Sequence, residues 1–79
     1  MKVKVRLFGP LKDYRPGNNK EIILELEEGS QLGDLVDKLG IPGEELKYSL
    51  LLVNGSQSDL NKKLQDRDVI SFAAVTEGG

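Results

Sequence analysis

The run Val69-Ile70-Ser71-Phe72-Ala73-Ala74 offers apolar or small side chains to both sides of an extended chain. A strand with one face in water alternates apolar and polar residues, whereas a strand enclosed on both sides does not need to. In a chain of 79 residues, such a segment belongs in the middle of a sheet, and the rest of the fold has to be arranged around it. The opening residues supply a natural neighbour. Val3, Val5 and Leu7 alternate with Lys2, Lys4 and Arg6, the period-two pattern of a strand with one wet face. The last strand is therefore expected beside the first, with the chain end leaving from the centre of the sheet.

Between these two strands the order of elements can be read from local chemistry. Gly9-Pro10 ends the first strand, and residues 11–19 read as a loop with a turn at Pro16-Gly17. A second strand is expected over Glu21–Glu27, with Ile22, Leu24 and Leu26 on one face and Ile23 partly exposed. Leu32, Leu35, Val36 and Leu39 then follow helical spacing and form one apolar stripe. Ser30 is the expected N-cap, and Gly33 weakens the first turn. Gly40 is placed to take the left-handed closing position, with Ile41 folded back onto Val36 and Pro42 stopping the helix. The segment Glu44–Tyr48 is ambiguous. Leu50–Val53 reads as a short buried strand ended by the turn signal Asn54-Gly55. Leu60 and Leu64 suggest one loose helical turn, and Asp66-Arg67-Asp68 a tight turn. A strand pair, a crossover helix and two further strands place the chain in the α+β class, with a mixed four- to five-stranded sheet and the helix on one face.

Size and composition exclude several functions. One domain is expected over residues 1–74, followed by a flexible tail over 75–79. A domain this small has no room for a deep catalytic cleft of its own. The chain has no Cys and no His, which removes the usual nucleophile and metal chemistry. Asp66 and Asp68 lack a ligand-rich loop, and Glu44-Glu45 reads as a solvated helix start rather than an acid–base pair. No Gly-rich stretch carries the Lys-Ser/Thr that cradles phosphate. A net charge of −2 gives no reason to expect nucleic acid, and no apolar run is long enough for a membrane. The first residues have no signal-peptide pattern, and the lack of cysteine suits a reducing cytoplasm. The unusual feature is the ending Thr76-Glu77-Gly78-Gly79. Two glycines make a terminus thin enough to enter a narrow active site. Five extended residues reach at most about 17 Å. The ordinary reading, an idle chain end, stands beside this one.

In Val3–Gly9, Leu32–Leu39, Leu52-Val53-Asn54-Gly55, Leu64–Phe72 and Gly78-Gly79 the chain resembles the MoaD/ThiS family of β-grasp, ubiquitin-like sulfur carriers over nearly its whole length. Two positions depart from the family pattern: Arg67 stands where glycine is usual, and Ala74 lies where proline is usual. Length and the opening residues favour the molybdopterin type over the thiamine type.

The resemblance implies a reaction. A terminal carboxylate has an ordinary pKa of about 3.5 and is an anion near neutral pH, so it is a poor electrophile until activated. An adenylating partner related to ubiquitin-activating enzymes is expected to use ATP on Gly79, with no cofactor bound to this chain. A sulfur donor then yields a thiocarboxylate, which a larger synthase subunit (that of molybdopterin synthase, or thiazole synthase) consumes. Gly79 is the reacting residue, and Gly78 keeps a Cβ off the tunnel wall. Val75, Thr76 and Glu77 of the tail, with Arg6, Phe8, Ser71 and Ala73 on the outer face of the sheet beside Lys4, are the expected partner contacts. A plain solvated strand face is the competing reading of that patch. For the whole chain, attachment through Gly79 to lysines of other proteins and a simple interaction module remain alternatives.

Overall fold

The computed structural model describes residues 1–47 and 49–74. The alternation at the start folds into β1 (Lys2–Leu7), with Val3, Val5 and Leu7 at 0–1% exposure. β2 (Glu21–Glu25) pairs with it antiparallel, Val5 opposite Ile22 and Val3 opposite Leu24. β2 is shorter than expected, but the backbone exchange continues. The Leu26 amide donates to the Met1 carbonyl at 2.8 Å, and the Met1 amine donates to the Leu26 carbonyl at 2.8 Å. Leu26 thus stays buried beyond the strand end, and Ile23 on the opposite face is 59% exposed.

Residues 11–19 are more ordered than a loop. Two short 3-10 helices, Gly9–Tyr14 and Pro16–Asn18, fill this stretch. They press Leu11 into the core at 0% exposure, a core residue that sequence periodicity does not reveal because one apolar residue has no period. The Arg15 guanidinium closes this corner by donating from Nε to the Leu7 carbonyl at 2.8 Å.

α1 (Leu32–Leu39) covers the inner face of the sheet with Leu32, Leu35 and Val36, which join one core with β1 and the last strand. Its start differs from expectation. Gln31, not Ser30, is the N-cap. The Asp34 carboxylate accepts from the Gln31 amide at 2.8 Å, while the Ser30 hydroxyl donates to the Glu27 carbonyl at 2.7 Å and so is used one turn earlier. The first amides of a helix have no partner within it. Here Leu32 and Gly33 donate to the carbonyls of Lys62 and Leu60, each at 2.9 Å. The expected helical turn around Leu60 and Leu64 is therefore absent, because that backbone is engaged in capping α1. Leu64 is buried and Leu60 is 40% exposed. A Cβ at Gly33 would stand 3.4 Å from the Leu60 carbonyl oxygen, a close but ordinary van der Waals separation, so the contact does not by itself demand glycine. At the other end Gly40 adopts φ 73°, and the Ile41 amide donates back to the Val36 carbonyl at 3.2 Å, the closure expected for this helix.

A single turn, α2 (Gly43–Leu46), leads into β3 (Ser49–Val53). Only Val53 of β3 is buried; Leu50, Leu51 and Leu52 are half-buried, so the strand is less enclosed than its composition suggests. Asn54 and Gly55, both at positive φ, turn the chain into β4 (Ser56–Gln57), a two-residue edge strand too short to be seen in the sequence. β5 (Val69–Ala74) takes the centre. The strand order is β2-β1-β5-β3-β4, with β5 parallel to β1 and antiparallel to β3. Ile70 and Phe72, both at 0% exposure, place this strand in the core. Burying one such side chain stabilises the fold by roughly 1.5–3 kcal/mol.

Candidate docking face and chain exit

The pleat sends successive residues of β5 to opposite faces. Ile70 and Phe72 point at α1, so Val69, Ser71 and Ala73 emerge on the outer face. The pairings extend that face across the sheet. One row runs Glu21, Arg6, Ser71, Leu52, Gln57; another runs Ile23, Lys4, Val69; and Ala73 stands opposite Leu50. The Phe8 amide donates to the Phe72 carbonyl at 2.9 Å, and Phe8 is 41% exposed at the end where β5 finishes. The structure therefore brings Arg6, Phe8, Ser71 and Ala73 together on one surface.

The charges on this surface are drawn to one side of it. Arg6 reaches sideways to β2, donating from Nε to Glu21 Oε2 at 2.9 Å, with Nη2 at 2.7 Å from the same oxygen. Lys4 Nζ lies 3.9 Å from the other carboxylate oxygen of Glu21. Both partners are about half exposed, so the ion pair is worth at most about 1 kcal/mol. Its effect is spatial: it draws the positive charge towards β2. What remains beside β5 is an apolar strip of Leu50, Leu52, Val69 and Ala73 around Ser71. Leu50 and Leu52 escape a sequence reading because leucines in a strand read as core, and nothing within the run distinguishes its two faces. Arg6, Phe8, Lys20 and Glu21 rim a shallow hollow at the edge of the strip.

β5 is held along its length. Its root is clasped: Val69 donates its amide to Asn54 Oδ1 at 2.9 Å, Asn54 Nδ2 donates to Asp68 Oδ1 at 2.9 Å, and the Gln65 amide donates to Asp68 Oδ2 at 2.8 Å. Arg67 takes the tight turn at φ 71° without glycine, and its amide donates to the Lys2 carbonyl at 2.7 Å. Asp66 accepts from the Lys2 amide at 2.8 Å. Both aspartates thus accept hydrogen bonds from protein N–H groups, and among the described residues no group of three or more metal-ligating side chains is assembled. At the far end Ala74 is paired in register with Ser49. The tail residues singled out in the sequence, Val75, Thr76, Glu77, Gly78 and Gly79, lie outside the described residues, as does Tyr48. Among the described residues no helix is long and apolar enough to cross a membrane.

Comparison with known proteins agrees with this architecture. The sequence matches the family model Mut7-C ubiquitin over residues 1–77. No curated protein sequence matches it. Among solved structures, a chain from the protein–protein complex of subunits 1 and 2 of the molybdopterin-converting factor of Helicobacter pylori 26695 is 30% identical, with a TM-score of 0.70 and 100% of both chains covered. SAMP1 from Haloferax volcanii is 16% identical with a TM-score of 0.79, again over 100% of both chains. Urm1 from Trypanosoma brucei is 18% identical with a TM-score of 0.69, covering 99% of this chain and 95% of the other. The mixed five-stranded sheet with one main helix is the ubiquitin-like β-grasp fold.

Proposed function

Since the chain belongs to the Mut7-C ubiquitin family and to the wider MoaD/ThiS group of ubiquitin-like proteins, we propose that it is a sulfur carrier whose working atom is the carboxyl carbon of Gly79. The observation that carries this reading is the placing of β5. A central strand, paired with β1 as far as Phe72 and with β3 as far as Ala74, holds the root of a five-residue segment that ends in two glycines. A rigid root limits where the tip can go, and side-chain-free residues let the tip pass a narrow channel.

The reaction follows from the chemistry of a carboxylate. Attack of the Gly79 carboxylate on the α-phosphate of ATP, in the active site of an adenylating partner, expels pyrophosphate and leaves an acyl-adenylate. A sulfur donor displaces AMP and leaves a thiocarboxylate. A larger synthase subunit then accepts the tip and uses the sulfur to build a small molecule. The chain's own contribution is docking and delivery, with no catalytic side chain. The strip of Leu50, Leu52, Val69 and Ala73 forms the apolar centre of the docking face, and the Arg6–Glu21 pair forms a polar rim. The Helicobacter relative, solved in a complex of two subunits, supports a larger subunit as partner and molybdopterin as the pathway product, with the thiazole of thiamine as the alternative.

The deciding experiment is intact-mass measurement of the native protein, expressed with the adenylating enzyme of its own source. The expected result is a chain ending at Gly79 with one carboxyl oxygen replaced by sulfur. Covalent ladders on blots mean that the chain is a protein modifier instead, and an unaltered mass means an interaction module with an idle tip. A charge reversal at Arg6 that leaves partner affinity unchanged removes the rim from the docking face.

A further inference from the structure

The turn that joins β3 to β4 contains the pair most prone to spontaneous amide loss, an asparagine followed by glycine. The reaction is attack by the Gly55 backbone nitrogen on the Asn54 side-chain carbonyl carbon. A carbon–nitrogen bond forms, the amide leaves as ammonia, and the Gly55 N–H proton passes to solvent base. Water then opens the five-membered imide to aspartate or isoaspartate. No oxidant or reductant takes part. Gly55 favours attack because no Cβ shields its nitrogen, and Asn54 lies in an exposed turn.

The folded chain holds this amide at both atoms. Nδ2 donates to Asp68 Oδ1 at 2.9 Å, and Oδ1 accepts from the Val69 amide at 2.9 Å. The Asn54 backbone amide is tied as well, to the Val69 carbonyl at 2.7 Å. The side chain is pointed across the sheet at the root of β5, away from its own C-terminal neighbour. Swinging Cγ over the Gly55 nitrogen requires both side-chain bonds to break. Asp68, at 8% exposure, is itself held by the Gln65 amide and so does not follow the amide out.

We infer that Asn54 is a deamidation site kept silent by its clasp to Asp68 and Val69, so that conversion occurs in molecules that have opened at the root of β5. The change is self-reinforcing. Aspartate at this position loses the donor to Asp68 and sets two carboxylates where one hydrogen bond was, a repulsive pair in a partly buried place. Isoaspartate also adds a methylene to the main chain of a two-residue turn whose flanks, Val53 and Ser56, are in register. Either product keeps the clasp from reforming, and the altered residue marks chains that have opened. The inference is independent of the sulfur-carrier reading.

The test compares the full chain in mildly alkaline buffer with the same chain in urea, sampling over days. Intact mass gives total amide loss, and the tryptic peptide of residues 48–62 locates it. Two side-chain bonds of ordinary net strength slow the folded reaction by about tenfold or more, and the unfolded chain converts at Asn54 faster than at Asn18, Asn19 or Asn61. Asp68→Ala, if folded, approaches the unfolded rate. Sub-denaturing urea on the unaltered chain gives the same acceleration if that variant does not fold. Gly55→Ala slows the unfolded reaction. Equal rates in the folded and unfolded chain, or unfolded conversion that spares Asn54, overturn the proposal.

Discussion

The two faces of β5 make a controlled comparison within one strand. Ile70 and Phe72 point inward at 0% exposure and meet α1 and β1. Ser71 and Ala73, their immediate neighbours, point outward and are half-exposed beside Leu50 and Leu52. Backbone pairing is shared by both sets, so any difference between them belongs to the side chains alone. The inner face supplies burial, which acts on folding. The outer face contributes little to folding and is free to carry recognition. Edge strand β2 divides its faces in the same way, burying Ile22 and exposing Ile23, but its backbone is paired on one side only.

Removing Gly79, or adding one residue after it, breaks the comparison most completely. Sulfur loading, read by intact mass, is expected to be lost entirely, while the thermal midpoint stays unchanged. A tail variant that still loads, or one that unfolds the domain, removes the separation between scaffold and tip. Phe72→Ala comes next. It leaves a cavity at the centre of the core and lowers unfolding free energy by about 3–5 kcal/mol in a denaturant titration. Leu52→Asp tests the opposite face. Partner affinity, measured by calorimetry, is expected to fall by about tenfold or more, equivalent to roughly 1.4 kcal/mol, because a charge enters the apolar centre of the strip. Stability should change by less than about 1 kcal/mol. A loss of stability as large as that of Phe72→Ala makes the two faces equivalent and the docking assignment wrong. The smallest effect is at the strand root. Arg67→Gly relieves a side chain from φ 71° and raises stability by about 0.5 kcal/mol, the gain being offset by the extra freedom of glycine in the unfolded chain.

The comparison also explains what could be read before the structure was known. Alternation in β1 and the stripe on α1 are periodic, and a periodic signal arises because one face is enclosed and the other wet. The centrality of β5 was legible for the complementary reason, since neither of its faces carries the charges of β1. The same rule misread Leu50–Val53. A run of leucines reads as burial, but Leu50 and Leu52 lie on a face that no element of the described chain covers. Leu11 was missed because its burial depends on a 3-10 helix with no repeat, and the 60–64 segment because its carbonyls were engaged by the amides of α1. Only the 60–64 segment has its deciding partner distant along the chain; Leu11 depends on a local element with no repeat, and Leu50 and Leu52 on a face left without cover.

Local patterning by itself determined the element types, the closure of α1 at Gly40, the turn at Asn54-Gly55 and the position of β5 at the heart of the sheet. Each of these depends on residues within a few positions of one another, or on the plain contrast between oil-like and charged side chains. Only the tertiary structure decided that Glu21 draws Arg6 and Lys4 aside, that Leu50 and Leu52 are left facing out, and that Asn54, Asp68 and Val69 form one clasp. Those depend on which strands lie side by side and in what register, and register is an outcome of packing the whole core at once.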